Sequence, residues 1–546
     1  MYAQAMGHAG PKGKEQRVVA QTTSAPRRMT MLSQPVLWLR RTPWEIRWLF
    51  IICVVALAMR ALPLHGLSTE YDEGVYWQSL RAMANGQPLF TGVFSSQPPL
   101  FLLGLYPLYL LFGQSLIAAR LAVALYSLAG IVAMYFAGRR LAGNWVGLIA
   151  ALLLAVDPLY VTESHTLQAE APAIAFEVVA VAFALSALGA LGRRRLWLAA
   201  CAGIALGLGV MVKLFDIVAL IPVLAYLAQP IFATARNGRG GPRRPSRAEL
   251  IVGLRRSAPA CAVCVAGMLA AILVVALPFV GNWGAAYDQV VRFHLVAGRT
   301  ATGSLRGNVS AILHVRGEYP LWLAAAGGVF LAMLTRRWIC APILLWLLAS
   351  FALLAQQQPL FQHHIALLVP PLVLLAGLTP TAFVGARVGA RAHEANALFQ
   401  WASRLALALA LFASVAGVFI SVKNDSRAAQ AVPFNTLRIA SMVAAITIPT
   451  DYVVTDDQYI AGLADRNVPP QLVDTSLVRI QAGYLTAAQL ERIVTATDSR
   501  TILFASGRFD QITGFRAWVE AHFTAVPQVG DGHMLYVKAP QTPTPV

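Results

Sequence analysis

Long apolar segments separated by short polar or basic segments make up most of residues 47–423. A helix needs about 20 apolar residues to cross the hydrocarbon layer of a membrane. The pattern predicts eleven such spans, at 47–65, 115–137, 143–160, 170–191, 196–212, 214–232, 257–281, 319–335, 338–356, 365–385 and 402–422. The apolar segment 98–113 is shorter and has Pro107 near its centre, so we expect it to lie at the membrane surface or to re-enter rather than cross.

Basic residues set the orientation of these spans. If 98–113 does not cross, the basic clusters between spans fall on the side of the basic N-terminus, as expected for cytoplasmic loops. We therefore predict a disordered basic cytoplasmic tail at 1–46 and a membrane domain at 47–423. Residues 66–114 then form an external loop that holds juxtamembrane helices.

The segment 424–546 has a different composition and is predicted to form a small external α/β domain. "DYVVTDD", "TILFAS" and "HMLYVKA" are rich in β-branched and aromatic residues, which is typical of strands. "TAAQLERIVTAT" and "FRAWVEAHF" have the spacing of amphipathic helices. The predicted fold class is thus a multi-span α-helical membrane protein with a C-terminal α/β domain.

The composition agrees with a membrane protein. The 546 residues are 57% hydrophobic and 12% charged, whereas a soluble protein has about 25% charged residues. The net charge of +18 resides largely in the tail and in short loops. We therefore expect the lipid bilayer, and not nucleic acid, to be the partner of this basic chain.

Three acids, Glu70, Asp72 and Glu73, stand together in the first external loop of a chain that is otherwise poor in acid. The apolar spacing of the residues after them predicts a short amphipathic helix on the outer leaflet. Acids at the N-terminus of a helix are also favoured by the helix dipole. A structural role as helix-capping groups therefore remains an alternative to a catalytic one.

Further polar residues fall on the same predicted external face. Glu170 opens the fourth span, Lys213 lies between the fifth and sixth, and Arg292, His363 and His364 follow in later loops. Acids on one side and cations on the other suit a reaction that removes a proton and stabilises an anionic leaving group. A lipid phosphate ester of a sugar fits this description. A carboxylate would deprotonate the attacking hydroxyl, and a single displacement would invert the anomeric centre.

Several motifs carry a family resemblance. The runs "YDEGVYWQSLRAMANGQPLF", "SQPPLFLL", "ARLAVALYSLAGIVAMYFAGRRLAGNWVGLIAALLLAVDPLY", "HTLQAEAPAIAFEVV" and "FQHHIALLVPPLVLLAG" resemble the protein mannosyltransferase superfamily. Its members are GT-C fold glycosyltransferases, grouped with family 39 and the lipid A aminoarabinose transferases. The similarity is strongest over about residues 45–215.

The resemblance implies roles for particular residues. Asp72 matches the acid that family members use as general base or acceptor anchor, with Glu73 beside it, and Glu170 matches a second acid that assists at the acceptor or sugar. Lys213, His363 and His364 fall where members bind the lipid phosphate, and we add Arg292 to this set as a loop cation. Members usually have His or Lys before "PPL", whereas this chain has Gln97, which supplies no countercharge.

The predicted activity is transfer of a sugar from a polyprenyl-phosphate donor to an unknown acceptor (lipid, protein or glycan), at the plasma membrane. We expect no required cofactor. A divalent metal held by Asp72 and Glu170 is possible but is not indicated by any ligand motif. Two alternatives stay open: a transporter or flippase of lipid-linked sugars, and a non-catalytic membrane scaffold whose tail binds a partner.

Overall fold

A computed structural model describes residues 42–68, 70–229, 247–315, 317–334, 338–378, 393–431, 434–527 and 532–538. Residues 1–41 of the predicted tail lie outside these ranges. The described residues from Trp48 onward form one compact unit. The α-helices are α1 (Trp44–Ala61), α2 (Tyr71–Ala84), α3 (Pro99–Leu111), α4 (Leu116–Ala142), α5 (Asn144–Val156), α6 (Pro158–His165), α7 (Glu170–Ala187), α8 (Gly192–Val212), α9 (Leu220–Ala228), α10 (Arg247–Ala276), α11 (Trp283–Tyr287), α12 (Phe293–Thr300), α13 (Leu305–Leu313), α14 (Tyr319–Leu334), α15 (Ala341–Gln356), α16 (Val369–Ala376), α17 (His393–Ala431), α18 (Phe434–Ile446), α19 (Gln458–Leu463), α20 (Leu477–Gln481), α21 (Ala487–Ala496) and α22 (Phe515–His522).

Short helical turns of other types connect several of these helices. The 3₁₀ turns are Leu62–His65, Leu214–Ala219, Leu277–Asn282, Trp338–Cys340, His363–Leu368, Pro470–Leu472 and Phe509–Gln511, and Asp288–Arg292 forms a π turn.

Within the described residues, seven helical segments are long and apolar enough to cross a membrane. They are Trp44–His65, Leu116–Ala142, Glu170–Ala187, Gly192–Val212, Ile251–Thr300, Trp338–Gln356 and Gln400–Arg427. The pair α5 and α6, bent by 61°, would make an eighth. Shorter apolar helices occupy the predicted spans at 214–232, 319–335 and 365–385, so the predicted number of eleven is not confirmed.

The segment 98–113 forms the helix α3, which has 13 residues. At 1.5 Å per residue it is about 20 Å long, which is less than the roughly 30 Å of the hydrocarbon layer. That this segment does not cross the membrane stays a prediction.

The C-terminal region forms a four-stranded sheet of β1 (Val453–Thr455), β2 (Thr501–Phe504), β3 (Thr524–Ala525) and β4 (Met534–Val537), in the order β1-β2-β4-β3. The first two strands are parallel, and β4 is antiparallel to both of its neighbours. The helices α21 and α22 pack on a core that includes Leu490, Ile502, Phe504 and Phe515. The predicted boundary between residues 423 and 424 falls inside α17, and the domain division itself stays a prediction.

The helix α2 differs from the predicted surface helix. Its apolar residue Leu80 is buried as expected, but so is the polar side chain of Gln78. The Gln78 amide donates to the backbone oxygen of Arg466 at 2.9 Å and accepts from the backbone nitrogen of Val468 at 3.3 Å. The polar face is therefore covered by the C-terminal domain. The sequence pattern did not predict this contact, and the position of α2 on the outer leaflet stays a prediction.

Close backbone contact holds α2 against α19. A Cβ atom on Gly74 would lie 2.5 Å from the backbone nitrogen of Tyr459, and one on Gly462 would lie 2.3 Å from the Trp77 ring. Real Cβ atoms do not approach other atoms so closely, so both glycines are needed for the observed packing. The C-terminal domain is consequently fixed to the helix that carries Asp72.

Candidate active site

Asp72 lies in the first turn of α2, where the chain leaves an extended residue, Glu70, and enters the helix. The Glu70 side chain makes no capping hydrogen bond, and Asp72 and Glu73 are the acids in the first turn of the helix. The side chain of Asp72 remains 35% exposed and faces the internal space between the helices and the C-terminal domain. Of the adjacent acids Asp72 and Glu73, Asp72 is the one that remains accessible.

Glu73 occupies a different environment from Asp72. Its two carboxylate oxygens accept hydrogen bonds from Arg120 at 2.7 and 2.8 Å, and one of them also accepts from the backbone nitrogen of Leu167 at 2.8 Å. The side chain is fully buried. The helix turns adjacent residues about 100° apart, so Glu73 points into the bundle when Asp72 points into the cavity. Glu73 thus holds α2 in place and does not reach the site as the predicted catalytic partner.

The pKa of the Glu73 carboxyl reflects this pairing. Burial alone would raise the pKa, but the hydrogen bonds and positive charge of Arg120 outweigh it, and the pKa lies below its ordinary value. Glu73 is therefore ionised at neutral pH.

Glu170 and Lys213 form a buried ion pair. Glu170 starts α7, where Pro172 in the first turn favours helix initiation, and Lys213 ends α8 in an extended conformation. The Lys213 Nζ donates to Glu170 Oε1. Both residues are less than one-tenth exposed. An acid and a base that are 43 residues apart in sequence are thus joined at the end of a cavity.

His363 connects the two predicted acids. Its Nε2 lies 4.0 Å from Asp72 Oδ2 and 3.7 Å from Glu170 Oε1. It stands at the start of a 3₁₀ turn that leads into α16, next to His364, whose ring centroid is 4.6 Å away. Asp72 and Glu170 therefore lie near each other, because a carboxylate oxygen of each is within 4.0 Å of His363 Nε2.

Two cavities meet at Asp72. The larger cavity, of about 570 Å³, is lined by Lys213, His363 and His364. The smaller cavity, of about 370 Å³, is lined by Glu70, Glu163 and Arg508. The residues that line both cavities are Asp72, Phe361, His363, Ser476 and Val478. Two ligands could therefore approach the Asp72 carboxylate from different sides.

The electrostatic surroundings make Asp72 a stronger base than an exposed aspartate. Desolvation is the main cause and raises the pKa of its carboxyl above the ordinary value. The charges of Asp474 and Glu170 also raise this pKa, whereas those of His363 and Lys213 lower it. A carboxylate with a raised pKa accepts a proton from a hydroxyl more readily.

Arg292 lies apart from the other residues of the predicted phosphate-binding set. Its side chain is 67% exposed and pairs with Asp288, four residues earlier in the chain, at 3.0 Å. It lines neither cavity. The prediction placed it by its charge and its loop alone, and the helical turn directs it to the surface. Gln97, by contrast, does line the larger cavity.

The structure adds residues that the sequence prediction missed. Asp474, from the C-terminal domain, lines the larger cavity together with Tyr76 and His294. Asp474 precedes a helix-capping serine, Ser476, so the local sequence reads as a simple turn before α20. Only the docking of the C-terminal domain onto α2 brings it near Asp72.

Glu170, His363 and His364 offer ligand atoms that all lie within 4.8 Å of one another, a spacing that could hold a metal ion. The Lys213 ammonium already occupies one oxygen of Glu170 and would compete with such an ion. A metal ion between Asp72 and Glu170 stays a prediction.

Residues 96–235 match the family model described as dolichyl-phosphate-mannose-protein mannosyltransferase. No curated protein sequence matches the chain significantly. ArnT from Cupriavidus metallidurans has a similar structure. Its apo form has a TM-score of 0.59 at 16% identity, over 90% of this chain and 98% of that chain. Its complex with undecaprenyl phosphate has a TM-score of 0.61 at 17% identity, over 90% and 97%.

A second similar structure is the archaeal oligosaccharyltransferase AglB from Archaeoglobus fulgidus, in complex with an inhibitory peptide and a dolichol-phosphate. Its TM-score is 0.50 at 16% identity, over 92% of this chain and 75% of that chain. At such identities the similarity shows the fold. The chain thus has the fold of the GT-C glycosyltransferases, and the family resemblance and fold class predicted from the sequence are confirmed.

Proposed function

We propose that the protein is an inverting glycosyltransferase that moves a sugar from a polyprenyl-phosphate donor to an acceptor hydroxyl. The observation that carries this proposal is the position of Asp72, at the junction of two cavities, with Lys213, His363 and His364 along one of them. The similar ArnT structure was solved with undecaprenyl phosphate, which supports a lipid phosphate as the ligand.

The donor phosphate is assigned to the larger cavity because its cations lie there. Charge-assisted hydrogen bonds from Lys213 and the histidines would neutralise the phosphate. Gln97 could donate a neutral hydrogen bond in place of the cation that family members carry. Glu170 touches neither large cavity and acts as a positioning residue, since it holds Lys213 and His363.

The acceptor is assigned to the smaller cavity, on the other side of Asp72. In the reaction, the Asp72 carboxylate takes the proton of the acceptor hydroxyl as its oxygen bonds to the anomeric carbon. The bond from that carbon to the phosphate oxygen breaks, and its electron pair leaves with the polyprenyl phosphate. Neutralisation of the phosphate makes it a good leaving group without a separate acid. The single displacement inverts the anomeric centre.

The location is proposed from the basic loops and the apolar helices together. We place the site and the C-terminal domain on the extracytoplasmic face of the plasma membrane, with the N-terminus in the cytoplasm. The lipid tail of the donor would then remain in the bilayer while its phosphate enters the larger cavity.

A flippase of lipid-linked sugars is the second candidate. Glu177 and Asp216 are buried within the bundle, and the Trp346 indole donates to Glu177 at 3.2 Å. Ionisable groups inside a membrane domain often mark a transport path. The accessible carboxylate at the junction of two cavities favours transfer over transport.

The test separates binding from chemistry. Native mass spectrometry of the detergent-purified full-length chain should detect added undecaprenyl phosphate in both the wild type and the Asp72→Asn variant. Membranes supplied with a panel of radiolabelled undecaprenyl-phosphate sugars should release undecaprenyl phosphate from at least one member, and Asp72→Asn should slow this about 100- to 10,000-fold. Asp498→Asn, at an exposed aspartate of the C-terminal domain, is the matched control.

Unimpaired transfer by Asp72→Asn would refute the assignment of the base. Movement of the labelled lipid across a liposome bilayer without transfer of its sugar would support the flippase instead.

A further inference from the structure

We propose that Asp474 of the C-terminal domain binds the sugar of the donor and selects against sugars that carry a negative charge. The proposal rests on the glycosyltransferase function proposed above and adds a residue that recognises the transferred group. It gives the C-terminal domain a part in substrate specificity.

The position of Asp474 is the first observation. It lines the larger cavity together with Asp72, Tyr76 and Lys213. The donor phosphate is assigned to the Lys213 side, and the anomeric carbon must come near Asp72. The sugar then fills the part of the cavity around Asp72, and the Asp474 carboxylate, which also borders this space, is available to its hydroxyl groups.

The Asp474 carboxylate is held by hydrogen bonds to one of its two oxygens. The residue is 6% exposed. Oδ1 accepts from the backbone nitrogen of Ser476 at 2.8 Å and from the Tyr71 hydroxyl at 3.5 Å. Among the described residues, Oδ2 has no hydrogen-bond partner in the structure. Because Asp474 lines the cavity, this oxygen is available to accept a hydrogen bond from a ligand hydroxyl.

The charge of Arg479 acts on Asp474, but among the described residues no ion pair joins the guanidinium to that carboxylate. Arg479 donates to the backbone oxygens of Gln471 and Asp474, and its guanidinium carbon lies 3.8 Å from the Phe94 ring centroid. The guanidinium therefore supports the loop at its backbone and does not pair with the Asp474 side chain. The carboxylate can instead accept hydrogen bonds from sugar hydroxyls, in the charge-assisted form that binds them strongly.

The charge of the cavity sets the specificity. Asp72 and Asp474 border the same space, so a uronic acid would add a third carboxylate beside them. Like charges at short range in a partly desolvated site repel strongly. A neutral sugar meets no such repulsion, and an amino sugar would be attracted. The phosphate is balanced by Lys213 and the histidines, which line the same cavity.

The experiment compares lipids that differ only in the sugar. Binding of undecaprenyl phosphate, and of undecaprenyl phosphate bearing glucose, an amino sugar or glucuronate, is measured by native mass spectrometry on the full-length wild type and on Asp474→Asn. The asparagine keeps an oxygen for the Ser476 nitrogen, so the loop is retained. Asp474→Ser is a second variant that preserves this turn, and Asp498→Asn is the matched control.

We expect Asp474→Asn to leave undecaprenyl phosphate binding unchanged. It should weaken binding of the neutral or amino-sugar donor about 10- to 100-fold, the loss of one charge-assisted hydrogen bond. It should also reduce the preference of the wild type for these donors over the glucuronate lipid.

Equal weakening for the lipid with and without sugar would show a purely structural role and overturn the proposal. No change for any lipid, or no wild-type preference against glucuronate, would overturn it as well. If the wild type bound none of the lipids, the glycosyltransferase proposal would fail first, so the two failures are distinguishable.

Discussion

Lys213 donates a hydrogen bond from Nζ to Oε1 of Glu170, and the two buried residues form an ion pair at the end of the larger cavity. This contact explains how a lysine can be kept buried beside the cavity. The acid offsets its charge when no phosphate is present, and the remaining ammonium hydrogens can bind a phosphate.

Breaking this pair should affect stability and ligand binding differently. Lys213→Met leaves the buried Glu170 with only the His363 imidazole, 3.7 Å away, as a nearby partner, so we expect the free energy of unfolding to fall by about 3–5 kcal/mol. Undecaprenyl phosphate binding should weaken about 10- to 100-fold. The double variant Lys213→Met/Glu170→Gln should recover stability but not binding. Thermal unfolding and native mass spectrometry give the two readouts.

Arg292→Met is the control, because that arginine is exposed and lies outside both cavities. It should bind undecaprenyl phosphate like the wild type. If the double variant bound undecaprenyl phosphate as tightly as the wild type does, Lys213 would not contact the phosphate.

The pH dependence of transfer should reflect the protonation state of the Asp72 carboxylate. A general base must be deprotonated, so kcat/KM should rise as the pH passes upward through the pKa of Asp72, which lies above its ordinary value. The groups around it are His363 and Lys213, which lower this pKa, and Asp474 and Glu170, which raise it. Asp474→Asn should therefore move the acid limb to lower pH. His363→Gln should move it to higher pH, because this variant lacks the imidazolium that lowers the pKa of Asp72 in the wild type.

The pH–rate profile of each variant, measured with one labelled donor, checks both directions. Shifts of the same sign in the two variants, or none, would contradict the assignment of the acid limb to Asp72.

The Glu73–Arg120 pair should be structural rather than catalytic. Arg120→Met leaves a fully buried carboxylate unpaired and should lower the free energy of unfolding by about 3–5 kcal/mol. Arg120→Met combined with Glu73→Gln should restore much of it. Thermal unfolding in detergent measures the effect.

The pH dependence of stability has a definite sign for this pair. The pKa of Glu73 is lowered on folding, so its contribution is complete above the pKa of the unfolded chain and is lost as the pH falls through the folded value. The unfolding temperature should drop in this acidic range in the wild type. Persistence of that drop in the Glu73→Gln/Arg120→Met variant would assign it to other groups.

The contact between α2 and α19 should be required for activity. Gly74→Ala would place a Cβ atom 2.5 Å from the backbone nitrogen of Tyr459, so the two helices must separate. We expect a loss of about 1–3 kcal/mol in stability and a lower kcat, because Asp72 sits on the displaced helix. Gly189→Ala, where no heavy atom lies within 4 Å, is the control. Full activity of Gly74→Ala would show that α2 tolerates the shift.

The proposed orientation can be checked with cysteine labelling. Thr495→Cys, on the exposed surface of α21, should react with a membrane-impermeant maleimide on intact cells. Arg193→Cys, exposed at the start of α8, should react only after the membrane is opened. Labelling of unmodified protein gives the background. The reverse pattern would place the C-terminal domain in the cytoplasm.

The sequence by itself determined the secondary structure and the class of fold. Apolar length and basic loops identified a membrane bundle, and β-branched segments such as Val453–Thr455 became strands of a C-terminal sheet. These features depend on local composition, so they can be read along the chain. The resemblance of the segment around Asp72 to known glycosyltransferases also came from the sequence alone.

Only the tertiary structure decided which charged residues meet. Asp72 and Glu73 are neighbours in sequence, yet one faces a cavity and the other pairs with Arg120. Arg292 had the charge expected for a phosphate ligand but points to the surface. Asp474 reached the site because a separate part of the chain docks on α2. The direction of a side chain and the contacts between distant segments depend on packing, which local sequence patterns do not specify.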